Sequence, residues 1–80
     1  MRLTDNVRMD GQSVIEIIVN GETRKIPEGA SVADLINQLE LSPQRLAIEL
    51  NLSILPRAKW DETGLQSGDR LEIVHFVGGG

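Results

Sequence analysis

The chain of 80 residues contains no cysteine and no tyrosine, and only one tryptophan, one phenylalanine and one histidine. Without cysteine there is no disulfide framework, no thiolate metal site, no cysteine nucleophile and no internal store for sulfur. One histidine and no paired Ser-His-Asp arrangement leave little for nucleophilic or general-base catalysis, so an enzyme acting alone ranks last. A surplus of positive charge is also missing, since eight Lys and Arg stand against twelve Asp and Glu for a net charge of −4. That balance argues against duplex nucleic acid, whose binding needs clustered basic side chains. No apolar run approaches the ~20 residues of a membrane span, and no signal-peptide pattern opens the chain, so a soluble, cytoplasmic protein is expected. Neither Walker nor dinucleotide glycine spacing occurs.

What is present is mostly aliphatic: ten Leu, eight Ile and six Val within a hydrophobic fraction of 40%. That composition suits one small domain. Residues 1–13 follow neither the strand nor the helix period and are expected to form a disordered extension, with Met9 an alternative start. Val14 to Val19 is rich in β-branched residues and predicts a strand. Asn20-Gly21 supplies the two positive-φ positions of a type I′ hairpin turn, and Glu22 to Ile26 returns as an antiparallel partner ended by Pro27. Ser31 and Asp34 make a variant capping box, after which Val32, Leu35, Ile36 and Leu39 mark one face of a short helix stopped by Ser42-Pro43. Leu46, Ile48 and Leu50 alternate as a half-buried strand, and Ile54-Leu55 makes a shorter one before Pro56. Residues 57–65 are irregular or a helical turn carrying Trp60, Ser67-Gly68-Asp69 is a turn, and Arg70 to Val77 is the last strand.

This order predicts an α+β fold over residues 14–77, with a mixed sheet of four to five strands and one main helix packed on one face. The first and last strands are the most apolar and are expected side by side and parallel at the centre, which is a β-grasp. Alternation points Ile15, Ile17, Val19, Leu71 and Ile73 toward the helix. Ile18, Val74 and Phe76 then face outward, where they are expected to lie close together and, with Val77, to offer a surface to a partner; partial cover by neighbouring side chains or by the tail is the alternative. His75 reads as a structural or solvated residue rather than a metal ligand, and Asp61-Glu62 as a solvated loop. Trp60 reads as a core or rim anchor, and Arg57 and Lys59 as solvated surface.

The end of the chain stands apart. Gly78-Gly79-Gly80 follows a strand directly. Such a tail has no Cβ to obstruct a narrow tunnel, and its one functional group is an ionised α-carboxylate. A carboxylate is a poor acyl donor until it becomes an anhydride or thioester. These residues describe a protein substrate that offers its own terminus to an activating enzyme; a cloning remnant or a plain flexible tail is the alternative.

At this point the chain resembles the ThiS family, the sulfur carriers of thiamine biosynthesis within the ubiquitin-like group. The resemblance is carried by Ile17-Ile18-Val19-Asn20-Gly21-Glu22, Glu49-Leu50-Asn51, Leu55-Pro56-Arg57-Ala58-Lys59-Trp60, and the run from Gly68-Asp69-Arg70 to His75-Phe76-Val77-Gly78-Gly79-Gly80. It implies that an E1-like adenylyltransferase uses ATP and Mg²⁺ to adenylate Gly80, with the glycine tail 78–80 inserted in the partners' active sites. A persulfide from a cysteine desulfurase or sulfurtransferase then yields a C-terminal thiocarboxylate, and thiazole synthase accepts the sulfur. The resemblance implies no catalytic residue, no metal ligand and no bound cofactor in this chain. The small subunit of molybdopterin synthase, with the same chemistry, and a ubiquitin-like protein modifier remain as alternatives, as does a plain interaction module.

Overall fold

The local preferences of the chain assemble into one sheet and one helix in the computed structural model, which describes residues 13–76. Residues 1–12, assigned above to an extension, and residues 77–80, assigned to the strand end and tail, lie outside the described residues. Strands β1 (Val14–Val19) and β2 (Glu22–Pro27) form an antiparallel hairpin. Its turn residues Asn20 and Gly21 have φ of 50° and 85°, both in the left-handed region that a type I′ turn requires. Pro27 stays in the ladder opposite Val14 instead of ending it, because β2 is the edge strand, where a missing donor is tolerated. Ser13 accepts from the Glu28 N–H at 2.9 Å and so joins the hairpin.

Helix α1 (Val32–Gln38) starts on a reciprocal cap. The Ser31 hydroxyl accepts from the Asp34 N–H at 3.0 Å, and the Asp34 carboxylate accepts from the Ser31 N–H at 2.9 Å. The helix ends well before Ser42-Pro43, which corrects the expected stop. Glu40 takes φ 59°, its N–H bonds to Asn37, and the Leu41 N–H bonds to Ile36 at 3.2 Å. These bonds make a Schellman ending with glutamate where glycine is usual. Pro43 instead opens a 3₁₀ turn, Pro43–Arg45.

Strand β3 (Leu46–Leu50) turns through Asn51-Leu52 into β4 (Ser53–Ile54). Leu50 faces Ser53 and Glu49 faces Ile54, so β4 begins one residue before the expected Ile54-Leu55. A 3₁₀ helix, Arg57–Glu62, carries Trp60, and β5 (Arg70–His75) closes the order. The five-stranded sheet runs β2-β1-β5-β3-β4, with β1 and β5 parallel at its centre and the other pairs antiparallel. This is the expected β-grasp arrangement.

The helix packs on the face that alternation designates. Ile17, Val19, Leu71, Ile73, Leu46 and Ile48 of the sheet are buried against Val32, Leu35 and Ile36 of α1. Trp60 and Leu65 close the core's side, and the Trp60 indole N–H donates to the Leu55 carbonyl at 3.1 Å. Main-chain bonds from Val32 to Thr63 and from Leu65 to Ala30 tie this segment to the start of the helix. Among the described residues no polar or charged residue is buried.

Candidate functional site

Three observations describe how β5 delivers the chain to its end. The strand is paired with β3 from Leu71–Leu50 to His75–Leu46, and the Phe76 N–H donates to the Arg45 carbonyl at 2.8 Å. Its parallel partner β1 accompanies it only at Arg70 and Leu71. Beyond that, the Asn20 side chain takes over. Its Oδ1 accepts from the Ile73 N–H at 2.7 Å, and its Nδ2 donates to the Ile73 carbonyl at 3.2 Å. The main chain is therefore held up to Phe76, and Gly80 lies four residues farther on, within a chain reach of at most about 14 Å.

On the open face, Val74 and Phe76 project outward, 56% and 53% exposed. Ala47 lies opposite Val74. Ile18 shares this face but not this neighbourhood. The parallel register places Ile18 beside Arg70, four residues from Val74, a separation of roughly 13 Å along the strand. The expected cluster of Ile18, Val74 and Phe76 is thus divided, because β1 ends opposite Leu71 and never reaches the level of Val74. Ile18 is half-buried, and Thr23 is its other neighbour in the sheet. Val77, also assigned to the surface, lies outside the described residues.

Two more outward apolar residues, Leu52 and Ile54, escaped sequence reasoning. They are 85% and 76% exposed at the β3–β4 hairpin. Leu52 holds φ 73° in a two-residue turn, a conformation that disfavours a branched side chain. A pair of left-handed turn residues between two short strands was the available signal, and only Asn51 carries it. Between this edge and Val74, Glu49 and Glu72 face one another across β3 and β5.

The other singled-out side chains are committed locally or solvated. The Arg57 guanidinium lies 5.8 Å from the centroid of the Trp60 ring. Lys59 approaches Glu62 at 3.8 Å with both side chains more than 60% exposed, an ion pair worth little. Asp61 and His75 are exposed, and His75 borders a shallow open groove with Asn20, Ile73, Leu39 and Leu41. Among the described residues no three His, Cys, Asp or Glu side chains gather as metal ligands do, and no helix is long and apolar enough to cross a membrane.

Comparison with known proteins adds to this geometry. The family model described as the ThiS family matches residues 17–80. A thiazole synthase of Paramagnetospirillum magneticum is 35% identical over 66 residues, which cover 82% of this chain but 20% of that protein. The chain thus spans about a fifth of the length of the thiazole synthases it matches. The sulfur carrier protein ThiS of Escherichia coli is 27% identical over 66 residues, covering 82% of this chain and 100% of that protein. The crystal structure of the thiamine biosynthesis protein (ThiS) from Geobacter metallireducens superposes with a TM-score of 0.72 at 30% identity, covering 82% of this chain and 100% of the other.

Proposed function

The chain belongs to the ThiS family, and from that premise we propose that it is a sulfur carrier of thiamine biosynthesis that works through the Gly80 carboxylate. The observation that carries the proposal is the reach of the family match, which runs through residue 80 and takes in the whole Gly78-Gly79-Gly80 tail. In the first step a carboxylate oxygen attacks the α-phosphorus of ATP on an E1-like adenylyltransferase and pyrophosphate leaves, with Mg²⁺ offsetting the phosphate charge. The acyl-adenylate is the activated form that a bare carboxylate lacks. The terminal sulfur of a persulfide, supplied by a cysteine desulfurase or sulfurtransferase, displaces AMP. A thiolate then cleaves the resulting acyl disulfide and leaves the C-terminal thiocarboxylate. Thiazole synthase accepts that sulfur. The chain supplies the reacting carboxylate and no catalytic group; the phosphoryl electrophile, the metal, the sulfur nucleophile and the leaving groups come from its partners.

Docking falls to the open face. Val74 and Phe76 present apolar surface at the end of β5, Val77 is assigned to the same docking role as the next residue in the chain, and Ile18 lies farther along the same face. The segment in the much longer thiazole synthases that matches this chain supports thiazole synthase as a partner of the same kind. A cytoplasmic location is part of this proposal, and the need for ATP as co-substrate agrees with it. The test is the intact mass of the full chain co-expressed with the adenylyltransferase, the sulfur donor and thiazole synthase. One sulfur in place of one terminal oxygen, lost on turnover by thiazole synthase, supports the carrier reading. Turnover by molybdopterin synthase instead, or branched conjugates to other proteins, overturns it.

A further inference from the structure

Strand β5 outruns its central neighbour. β1 stops at Val19, opposite Leu71, and the chain enters the Asn20-Gly21 turn. From Ile73 onward no strand lies on that edge of β5, and the Asn20 amide stands in for one. An amide side chain offers an acceptor and donors in one plane, so it reproduces the paired contacts of a strand residue. Both contacts go to the main chain of Ile73, at 2.7 and 3.2 Å. At the beginning of β5 a second asparagine does something similar. Asn51, with φ 51°, accepts from the Arg70 N–H at 3.0 Å and donates to the Asp69 carboxylate at 3.1 Å. Two left-handed asparagines therefore pin one strand, Asn51 at its start and Asn20 at Ile73.

We propose that Asn20 is a positioning residue for the activation of Gly80, fixing Ile73 so that the following residues leave the sheet from one point in one direction. This assignment rests on the carrier reading above. Phe76 is three residues beyond Ile73, and Gly80 four beyond that. Past Ile73 the strand is held on one edge only, by β3, so without the Asn20 amide it can pivot about that edge. Four residues beyond Phe76 span at most about 14 Å, so a starting point shifted away from the partner takes the carboxylate out of reach. Acyl transfer requires reacting atoms about 3–3.5 Å apart, and a misplacement of about 1 Å can cost on the order of 10²-fold. Asn51 acts where Ile18 and Leu50 neighbour β5 on its two sides, so its loss is not transmitted to the tail.

The two asparagines supply the comparison. Asn20→Gly and Asn51→Gly each keep a residue that accepts positive φ and delete one amide. Each full-length chain is assayed for amide hydrogen exchange, thermal unfolding, and ATP–pyrophosphate exchange by the adenylyltransferase. In Asn20→Gly the Ile73 N–H exchanges about tenfold faster, the loss of one hydrogen bond. Its kcat falls at least about tenfold while KM stays within about twofold, since docking side chains are untouched and only the reacting geometry is lost. In Asn51→Gly the Arg70 N–H loses protection, but kcat stays within about twofold of wild type. Asn20→Asp, which keeps the acceptor for the Ile73 N–H, recovers part of kcat. Equal loss of kcat in both glycine variants, in step with their melting temperatures, overturns the assignment, and so does an undisturbed Ile73 N–H in Asn20→Gly. A wild-type chain that supports no pyrophosphate exchange overturns the carrier reading, whatever the hydrogen-exchange result.

Discussion

Phe76→Asp separates a docking role from a structural one. Phe76 is 53% exposed and its main-chain bond to Arg45 does not depend on the side chain. Full burial of such a side chain is worth about 1.5–3 kcal/mol, so truncating one that is half exposed costs at most about 0.8–1.5 kcal/mol. For a domain of this size that corresponds to a fall in Tm of roughly 4–10 °C, with the native fold retained. Ile73→Asp, three residues earlier and 8% exposed, puts a carboxylate into the buried core face beside Ile48, its cross-strand partner, and should unfold the domain. Binding to the adenylyltransferase, measured by calorimetry at a temperature where Phe76→Asp is folded, should weaken at least tenfold, about 1.4 kcal/mol or more, as expected of an aromatic anchor in an interface. Two outcomes refute the reasoning. If Phe76→Asp unfolds like Ile73→Asp, the faces of β5 are exchanged; if it folds and binds as wild type does, Phe76 does not dock.

Substitutions at three further positions test the fold. Ser31→Ala removes the hydroxyl half of the α1 cap and should cost about 1 kcal/mol in chemical denaturation, with no change in the m-value. Trp60→Ala empties a site that is 4% exposed and should cost about 3–5 kcal/mol, a large part of a small domain's stability, while Trp60→Phe, which loses the bond to Leu55 but keeps most of the ring, should cost much less; both are read by denaturant unfolding. Leu52→Gly relieves a left-handed leucine that buries almost nothing and should raise stability by about 0.5–1 kcal/mol; a lower Tm would show that the turn is not strained.

The architecture was legible because each signal was local. β-Branched runs gave strands, Asn-Gly gave the first hairpin, and the Ser31–Asp34 pair gave the helix start. The helix end was not legible, because Glu40 occupies the left-handed position with no residue-type signal, and the visible Ser42-Pro43 comes later. Alternation assigned Val74 and Phe76 to the open face correctly, yet alternation fixes a side and not a level. The distance from Ile18 to Val74 depends on the parallel register, which is set by where β1 stops. Asn20 was visible as a turn former, but its second task joins residues 53 apart in the chain, and no local pattern reports such a contact.

The central claim is that Gly80 presents the carboxylate that is activated, and ATP–pyrophosphate exchange by the adenylyltransferase tests it most directly. The measurement compares the full chain with one lacking Gly80, beside a melting curve for each. Deletion leaves a carboxylate of the same chemistry on Gly79, withdrawn by up to about 3.3–3.6 Å, as much as the whole separation that acyl transfer tolerates. The account predicts exchange with the full chain, its near-complete loss on deletion, and no shift in Tm, since no core residue is touched. Equal exchange by both chains would contradict it, making the glycine tail a spacer rather than the reacting end.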